Sequence, residues 1–329
     1  MSDTTLNATE SGMLADIRLH DIVVGVDGSD ESFAALRWAL NEASLTGQQV
    51  NAVFAWSHSW DMGSEPEDEE QWAEVRHEIA QRLRDWVSKA SQGMTINEDH
   101  VKLTSVKATG TSALLEIGKD AQQIVVGRRS LGRVARWFLG SLSESLAEAA
   151  QVPVTIVRIL DDEESSVQDA IANALTPSEN TVTYDLPGSP LPKNQRPIVV
   201  GVDGSETSRH ALRFAIDLAA LHHAPLQVMF CWQLKDLGVI EGYENAIAPI
   251  AVGQERAERI LDELLDSVEI PTAGIPDDFQ IESHAFHISA AKGLIAASRY
   301  ARHLVVGFRG LSGLDAHFLG SVPKQIVNF

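Results

Sequence analysis

The sequence predicts two tandem copies of one doubly wound α/β domain, each on a five-stranded parallel sheet, with the last strand of the second copy missing. Three observations predict it. First, Asp21-Ile-Val-Val-Gly-Val-Asp-Gly-Ser29 returns as Pro197-Ile-Val-Val-Gly-Val-Asp-Gly-Ser205. Asp27 to Trp56 aligns without a gap onto Asp203 to Trp232 at an offset of 176, with 12 identities along 30 positions. Second, a later block, Ile124-Val-Val-Gly127 and Leu304-Val-Val-Gly307, repeats in the same order, and both copies continue to Phe-Leu-Gly-Ser. A period near 176 is too long for a solenoid repeat and fits a duplicated domain. Third, short apolar runs alternate with stretches of helical spacing, the pattern of strand–helix units around a parallel sheet.

Taken in order, Ile22 to Val26 is an apolar, β-branched run closed by Asp-Gly, which predicts a buried strand. Ser32 to Ala43 places Ala35, Leu36, Ala39, Leu40 and Ala43 at helical spacing. Val50 to Trp56 reads as a second strand. Trp72, Val75, Ile79, Leu83 and Trp86 then mark one stripe of a long amphipathic helix. Val101 to Ala108 predicts a third strand and Ala113 to Lys119 a helix. Ile124 to Val126 is wholly apolar, as a strand covered on both faces should be. Ser141 begins another helix, and Val154 to Val157 is a fifth strand. Beyond Ser321 only Val-Pro-Lys-Gln-Ile-Val-Asn-Phe remains, so no fifth strand is expected in the second half. That leaves a sheet edge to be covered or paired.

Composition sets the boundaries. Residues 1–19 are polar and aperiodic and predict a mobile tail. Residues 159–195 carry Asp161-Asp-Glu-Glu-Ser-Ser and Leu186-Pro-Gly-Ser-Pro-Leu-Pro-Lys, a charged, Ser- and Pro-rich linker with room for a short helix at Asp169 to Leu175. The domains are then 20–158 and 196–329. Among 329 residues, 46 acidic side chains face 26 basic ones, a formal charge of −20. Such a balance argues against nucleic-acid partners, which need a basic face, and against a polybasic membrane patch. No run approaches the roughly 20 apolar residues of a membrane span. The start, MSDTTLNATESG, has no signal-peptide pattern, and the single cysteine, Cys231, requires no oxidising compartment. A cytoplasmic, acidic protein is expected.

Doubly wound sheets bind ligands outside the carboxyl ends of their strands, where strand order reverses. Both repeated motifs fall there: Asp27 and Asp203 after the first strand, Gly127 and Gly307 after the fourth. In the second half, Gly307-Phe-Arg-Gly310 is followed by nine residues and then Gly320-Ser321, a G-x2-G-x9-G-S pattern. Glycines let backbone amides approach a phosphate, and a serine opening a helix adds its hydroxyl where the dipole is positive. Arg309 offers charge to the same anion. Strand-to-helix turns also favour glycine, and Ser141 with Glu144 forms a capping box, so one copy alone divides between ligand loop and turn. Two copies, each paired with a first-strand Asp, favour a ligand.

With these motifs the chain resembles the universal stress proteins in their tandem-domain form, over both halves. The resemblance implies a Rossmann-like, adenine nucleotide alpha hydrolase-like fold that binds ATP, with Mg²⁺ held mainly by the phosphates. It implies that Asp27 and Asp203, with Gly25 and Gly201 on the strands before them, hold the adenosine end. Trp56 and Trp232 would line the adenine pocket. Gly127, Gly140, Ser141 and Leu142, like Gly307, Gly310, Gly320, Ser321 and Val322, would hold ribose and phosphates. It also implies that the two halves pack as a pseudo-twofold pair, with a homodimer and a regulatory protein partner beyond that. The chain departs from the pattern at Ser130, which replaces the motif's second glycine, although Gly132 follows closely. Arg128, Arg129 and Arg133 place three positive charges beside that loop. Ile288 replaces a glycine that commonly precedes the third helix.

Other constellations carry less. His284 and His287 are three apart in a strand-like segment and fall on opposite faces, which disfavours a metal site. His222-His223 reads as a solvated turn, and Glu65-Pro-Glu-Asp-Glu-Glu70 as an acidic loop introducing the helix at Trp72. No P-loop, no G-x-S-x-G elbow and no dinucleotide fingerprint occurs. The expectation is a binding module that senses or stores ATP in a stress response. Two alternatives stand beside it: a slow ATPase or adenylate hydrolase, and an interaction protein of the same fold without nucleotide.

Overall fold

A computed structural model describes residues 20–56, 68–128, 141–159, 196–270, 275–276, 279–308 and 319–328. The expected tail, the linker with its short helix, and the acidic residues 65–67 lie outside the described residues. The chain divides into two compact units, Met1–Asp161 and Asp162–Phe329.

Unit one runs β1 (Ile22–Gly25), α1 (Asp30–Thr46), β2 (Val50–Trp56), α2 (Glu69–Ala90), β3 (Val101–Lys107), α3 (Gly110–Ile117), β4 (Gln123–Gly127), α4 (Ser141–Ala149) and β5 (Val154–Val157). Its five strands lie in the order β3-β2-β1-β4-β5, all parallel. The order reverses between β1 and β4, where Ile22 pairs both Val50 and Gln123. Successive strand residues face opposite layers. Ile22 and Val24 pack with Leu36, Leu40, Ile79 and Leu83 under α1 and α2. Val23 packs with Val53, Leu114, Val126 and Leu146 under α3 and α4. Burial on both faces is why these strands are apolar throughout.

Helix limits follow local chemistry. Helix α1 is longer than its apolar stripe because the Ser29 hydroxyl accepts from the Ser32 N–H at 3.2 Å, and Gly47, at φ 74°, closes it by donating to the Ala43 carbonyl. Asp68 caps α2 by accepting from Gln71 N–H at 2.9 Å, and Thr109 caps α3. Arg37 donates to the Ala90 and Gln92 carbonyls and ties the end of α2 to α1.

Unit two runs β6 (Ile198–Val202), α5 (Glu206–Leu221), β7 (Leu226–Cys231), α6 (Ile250–Asp266), β8 (Ile281–Phe286), α7 (Ala290–Ala297), β9 (His303–Val306) and α8 (Ser321–Asn328). Its four parallel strands lie in the order β8-β7-β6-β9, the first sheet without its fifth member. Burial records the difference. Four residues of β4 are buried, whereas all of β9 is only half-buried. The last residues form α8, whose Val322 and Ile326 pack on the α7 layer.

The solvated reading of His222 is corrected. His222 ends α5 at 7% exposure, and its ring stacks on His303 with centroids 5.2 Å apart. Only His223, the next residue, is exposed, at φ 47°. A turn pattern reports backbone direction and not the depth at which a side chain lands. Burial, then the neighbouring His222 and Arg302, push the His303 imidazole down from 6.5 to about 3. Unfolded, the ring takes a proton near its ordinary 6.5, so this group favours the fold above that pH. Its contribution is lost as pH falls from 6.5 towards 3, at no more than about 1.4 kcal/mol per pH unit. His303→Phe is expected to flatten the fall in urea midpoint between pH 7 and 4, and an unchanged profile would refute the assignment.

Candidate functional site

In unit one the chain leaves β1 through Val26 and turns at Asp27-Gly28-Ser29. Asp27 Oδ1 accepts from the Ser29 N–H at 3.0 Å and from its hydroxyl at 2.5 Å. Gly28 stands at φ 85°, a left-handed geometry that side chains resist. It also rests on Trp86, since a Cβ there would lie 2.6 Å from Cζ2 of that indole. Trp86 is held in turn by edge contacts with Phe33 and Phe54, at centroid distances of 6.4 and 5.2 Å. Across the switch point, the exit of β4 presses on the first turn of α1. A Cβ on Gly127 would stand 2.2 Å from the Glu31 carbonyl oxygen, so only glycine fits. Gly25 abuts Leu114 in the same way, at 3.0 Å.

Arg128 follows, half-buried, its backbone N–H donating to the Val157 carbonyl at 2.8 Å. Burial first and the neighbouring Arg158 second lower its pKa. Ser141 opens α4, and half-buried Leu142 reaches towards Gly110. Arg129, Ser130, Arg133 and Gly140 lie outside the described residues.

Trp56 ends β2 half-buried, its centroid 6.0 Å from that of Trp72 at the start of α2. The Lys107 ammonium, at the end of β3, stands 4.9 Å from the Trp72 ring and 6.0 Å from that of Trp56. The Trp56 indole N–H is buried and has no acceptor among the described residues. Such a donor costs about 1–3 kcal/mol.

Unit two repeats the plan with different packing. Asp203 Oδ1 accepts from Ser205 N–H at 3.0 Å, and Gly204 stands at φ 83°. Its virtual Cβ meets only Ile260, at 3.5 Å. Gly201 sits over Leu294, and Gly307 approaches the Thr207 backbone, at 2.6 and 3.1 Å from their virtual Cβ atoms. The Gly320 N–H donates to the Phe308 carbonyl at 2.9 Å and joins the strand exit to α8. Ser321 opens that helix exposed, with Val322 half-buried behind it. Arg309 and Gly310 lie outside the described residues.

Trp232 is placed unlike Trp56. It is 0% exposed, its N–H donates to Gln254 Oε1 at 3.1 Å, and His287 stacks on it at 4.5 Å. As placed, it offers a ligand no surface. Cys231 beside it lies in a setting whose burial pushes the thiol up to about 12, which makes it unreactive as a thiolate.

The structure thus sets Asp27, Gly25, Gly127 and Arg128 at the carboxyl ends of one sheet's strands, and Asp203, Gly201, Gly307 and Gly320 at those of the other. Sequence reasoning missed Lys107, His287 and Gln254 as neighbours of the tryptophans. It saw Trp72 and Trp86 only as members of a helical stripe.

A doubly wound sheet with a capped Asp turn facing a glycine exit, present twice, defines a duplicated α/β protein with a crevice at each switch point. The pattern of the universal stress protein family matches residues 19–158 and 195–328, and the chain belongs to that family. It is 28% identical over 314 residues to a universal stress protein of Mycolicibacterium smegmatis, covering 93% of each chain. It is 27% identical over 313 residues to one of Mycobacterium tuberculosis H37Rv, covering 94% of each. Two solved structures share the fold. A universal stress protein of Archaeoglobus fulgidus has a TM-score of 0.55 at 15% identity, with 94% of each chain covered. A functionally unknown protein of Pseudomonas aeruginosa PAO1 has a TM-score of 0.52 at 15% identity, with 95% and 90% covered. Among the described residues no helix is long and apolar enough to cross a membrane.

The two turns predict unequal tolerance of a methyl group. Gly204→Ala is expected to cost about 1–2 kcal/mol, the price of a left-handed residue alone. Gly28→Ala adds the collision with Trp86 and should lose more. Urea midpoints of the two variants test this, and equal losses would show that Trp86 yields freely.

Proposed function

We propose that the chain binds an adenine nucleotide at the carboxyl ends of its strands and works as a nucleotide-dependent regulator in the cytoplasm. The observation that carries this reading is the paired arrangement at the switch point: a carboxylate in a rigid turn after the first strand, opposite a glycine exit after the fourth. ATP fits the residues there. Half-buried Arg128, with Arg158 near it at the β4 exit, would offer positive charge to the phosphates. The buried Trp56 N–H lacks an acceptor, which a purine nitrogen would supply. The start of α8 lies at the β9 exit, where the Gly320 N–H donates to the Phe308 carbonyl and the helix dipole is positive. Asp27 and Asp203 would hold the ribose side, and Mg²⁺ would be bound mainly by the phosphates.

The protein would act by binding and not by turnover. Asp27 Oδ1 is engaged in its own turn, and the nucleotide would be read out through conformation by a regulatory protein partner. Pairing of the two units within the chain, and of chains with each other, belongs to the same reading.

Small molecules released from the purified protein by denaturation, separated by chromatography, are expected to include an adenine nucleotide. ATP–Mg²⁺ at a hundredfold excess over Kd should add about 2.7 kcal/mol of stability. Absence of both would overturn the reading. ATP hydrolysis that co-purifies with the protein and vanishes in Asp203→Ala would replace it with an enzyme.

A further inference from the structure

We infer that the two nucleobase ends of the repeat have diverged: unit one keeps an open aromatic wall for a flat heterocycle, while unit two has filled the same space with its own Trp232. The inference rests on the nucleotide reading above and deepens it to one base-accepting site per chain.

The two tryptophans occupy matching positions, 176 residues apart, at the end of the second strand of each sheet. What differs is the helix packed behind them. The buried stripe of α6 is Gly253, Ala257, Leu261 and Leu264. That of α2 begins at half-buried Val75 and continues through Ile79 and Leu83. A Cβ on Gly253 would already lie 2.8 Å from Cη2 and Cζ3 of Trp232. The missing side chain is therefore the room into which Trp232 sinks.

The polar partner differs in the same step. Gln254 accepts from the Trp232 N–H, whereas the Trp56 N–H has no such partner among the described residues. Trp56 is left half-buried with an unanswered donor, a second indole at 6.0 Å and an ammonium over the pair. A tilted aromatic pair gives a π-face, the N–H seeks an in-plane acceptor, and Lys107 favours negative charge. A purine nucleotide carries all three complements. Because no hydrogen bond pins Trp56 inward, its ring is the part that would turn to meet the base. In unit two the N–H is answered by Gln254 and the ring face is taken by His287. The serine that replaces a motif glycine in the first half would have ranked the sites in the opposite order.

Calorimetric titration of the full-length, nucleotide-free chain with ATP–Mg²⁺ tests this. One equivalent is expected, and Trp56→Phe, which keeps an aromatic ring but removes the N–H together with the five-membered ring, should weaken it about tenfold. The smaller ring also loses packing, so Lys107→Met, which changes the wall by its charge, is titrated beside it, with a loss of affinity again expected. Two equivalents, or one that neither variant weakens, would overturn the inference and leave the nucleotide reading standing. No binding at all would overturn both.

Discussion

The approach of the β4 exit to the first turn of α1 is the contact on which the crevice of unit one depends. Because β4 lies beside β1 in register, with Ile22 opposite Gln123, two chain exits must share the space above one strand pair. One is the Asp27 turn into α1, and the other is the departure from β4. They fit only because Gly127 has no side chain to set against Glu31. Any larger residue would part the strand from the helix and move the capped turn away from the anion side. In unit two the same approach is looser, with the Thr207 backbone 3.1 Å from the virtual Cβ of Gly307. Identical topology therefore does not make identical sites.

The divergence is a redistribution of aromatic volume. Unit one places an indole, Trp86, beneath the Asp27 turn and leaves the strand-two indole half out of the core. Unit two places a smaller side chain, Ile260, beneath its turn and drives Trp232 fully inward against Gly253. Interiors pack at nearly crystalline density, so a ring removed from one part of a layer must be answered elsewhere in it. Trp86 on one helix and Gly253 on its counterpart are such answers. Duplication supplied one plan, and each copy solved its packing separately.

Much of this architecture was legible in the residues, and the rest was not for definable reasons. Ile22 to Val24 and Ile124 to Val126 announced central strands because burial on both faces demands apolar runs. The repeat located both crevices because topology puts strand ends together. Depth was not legible. Trp56 and Trp232 look alike along the chain, and the depth of Trp232 is decided about 20 residues further on, at Gly253. His222 sits in a turn signal yet is buried by His303, some 80 residues away. Lys107 carried no signal, because it closes an edge strand of alternating exposure, where a lysine is ordinary. Local pattern specifies backbone, whereas side-chain company is decided by which elements cross.

The formal charge of −20 bears on how the proposed site would select its ligand. A nucleotide approaching an acidic protein gains nothing from the overall field, which salt screens beyond about 8 Å at physiological ionic strength. Selection must then be made at contact range, by a few groups held where water has been partly removed. Arg128 is such a group. Its half-buried guanidinium has its pKa lowered by desolvation and then by Arg158, so additional negative charge beside it relieves both effects. Partial burial also strengthens every hydrogen bond formed there. A site of this kind discriminates by fit and charge together. Under the proposed reading, it would reject the polyanions that a basic surface gathers indiscriminately.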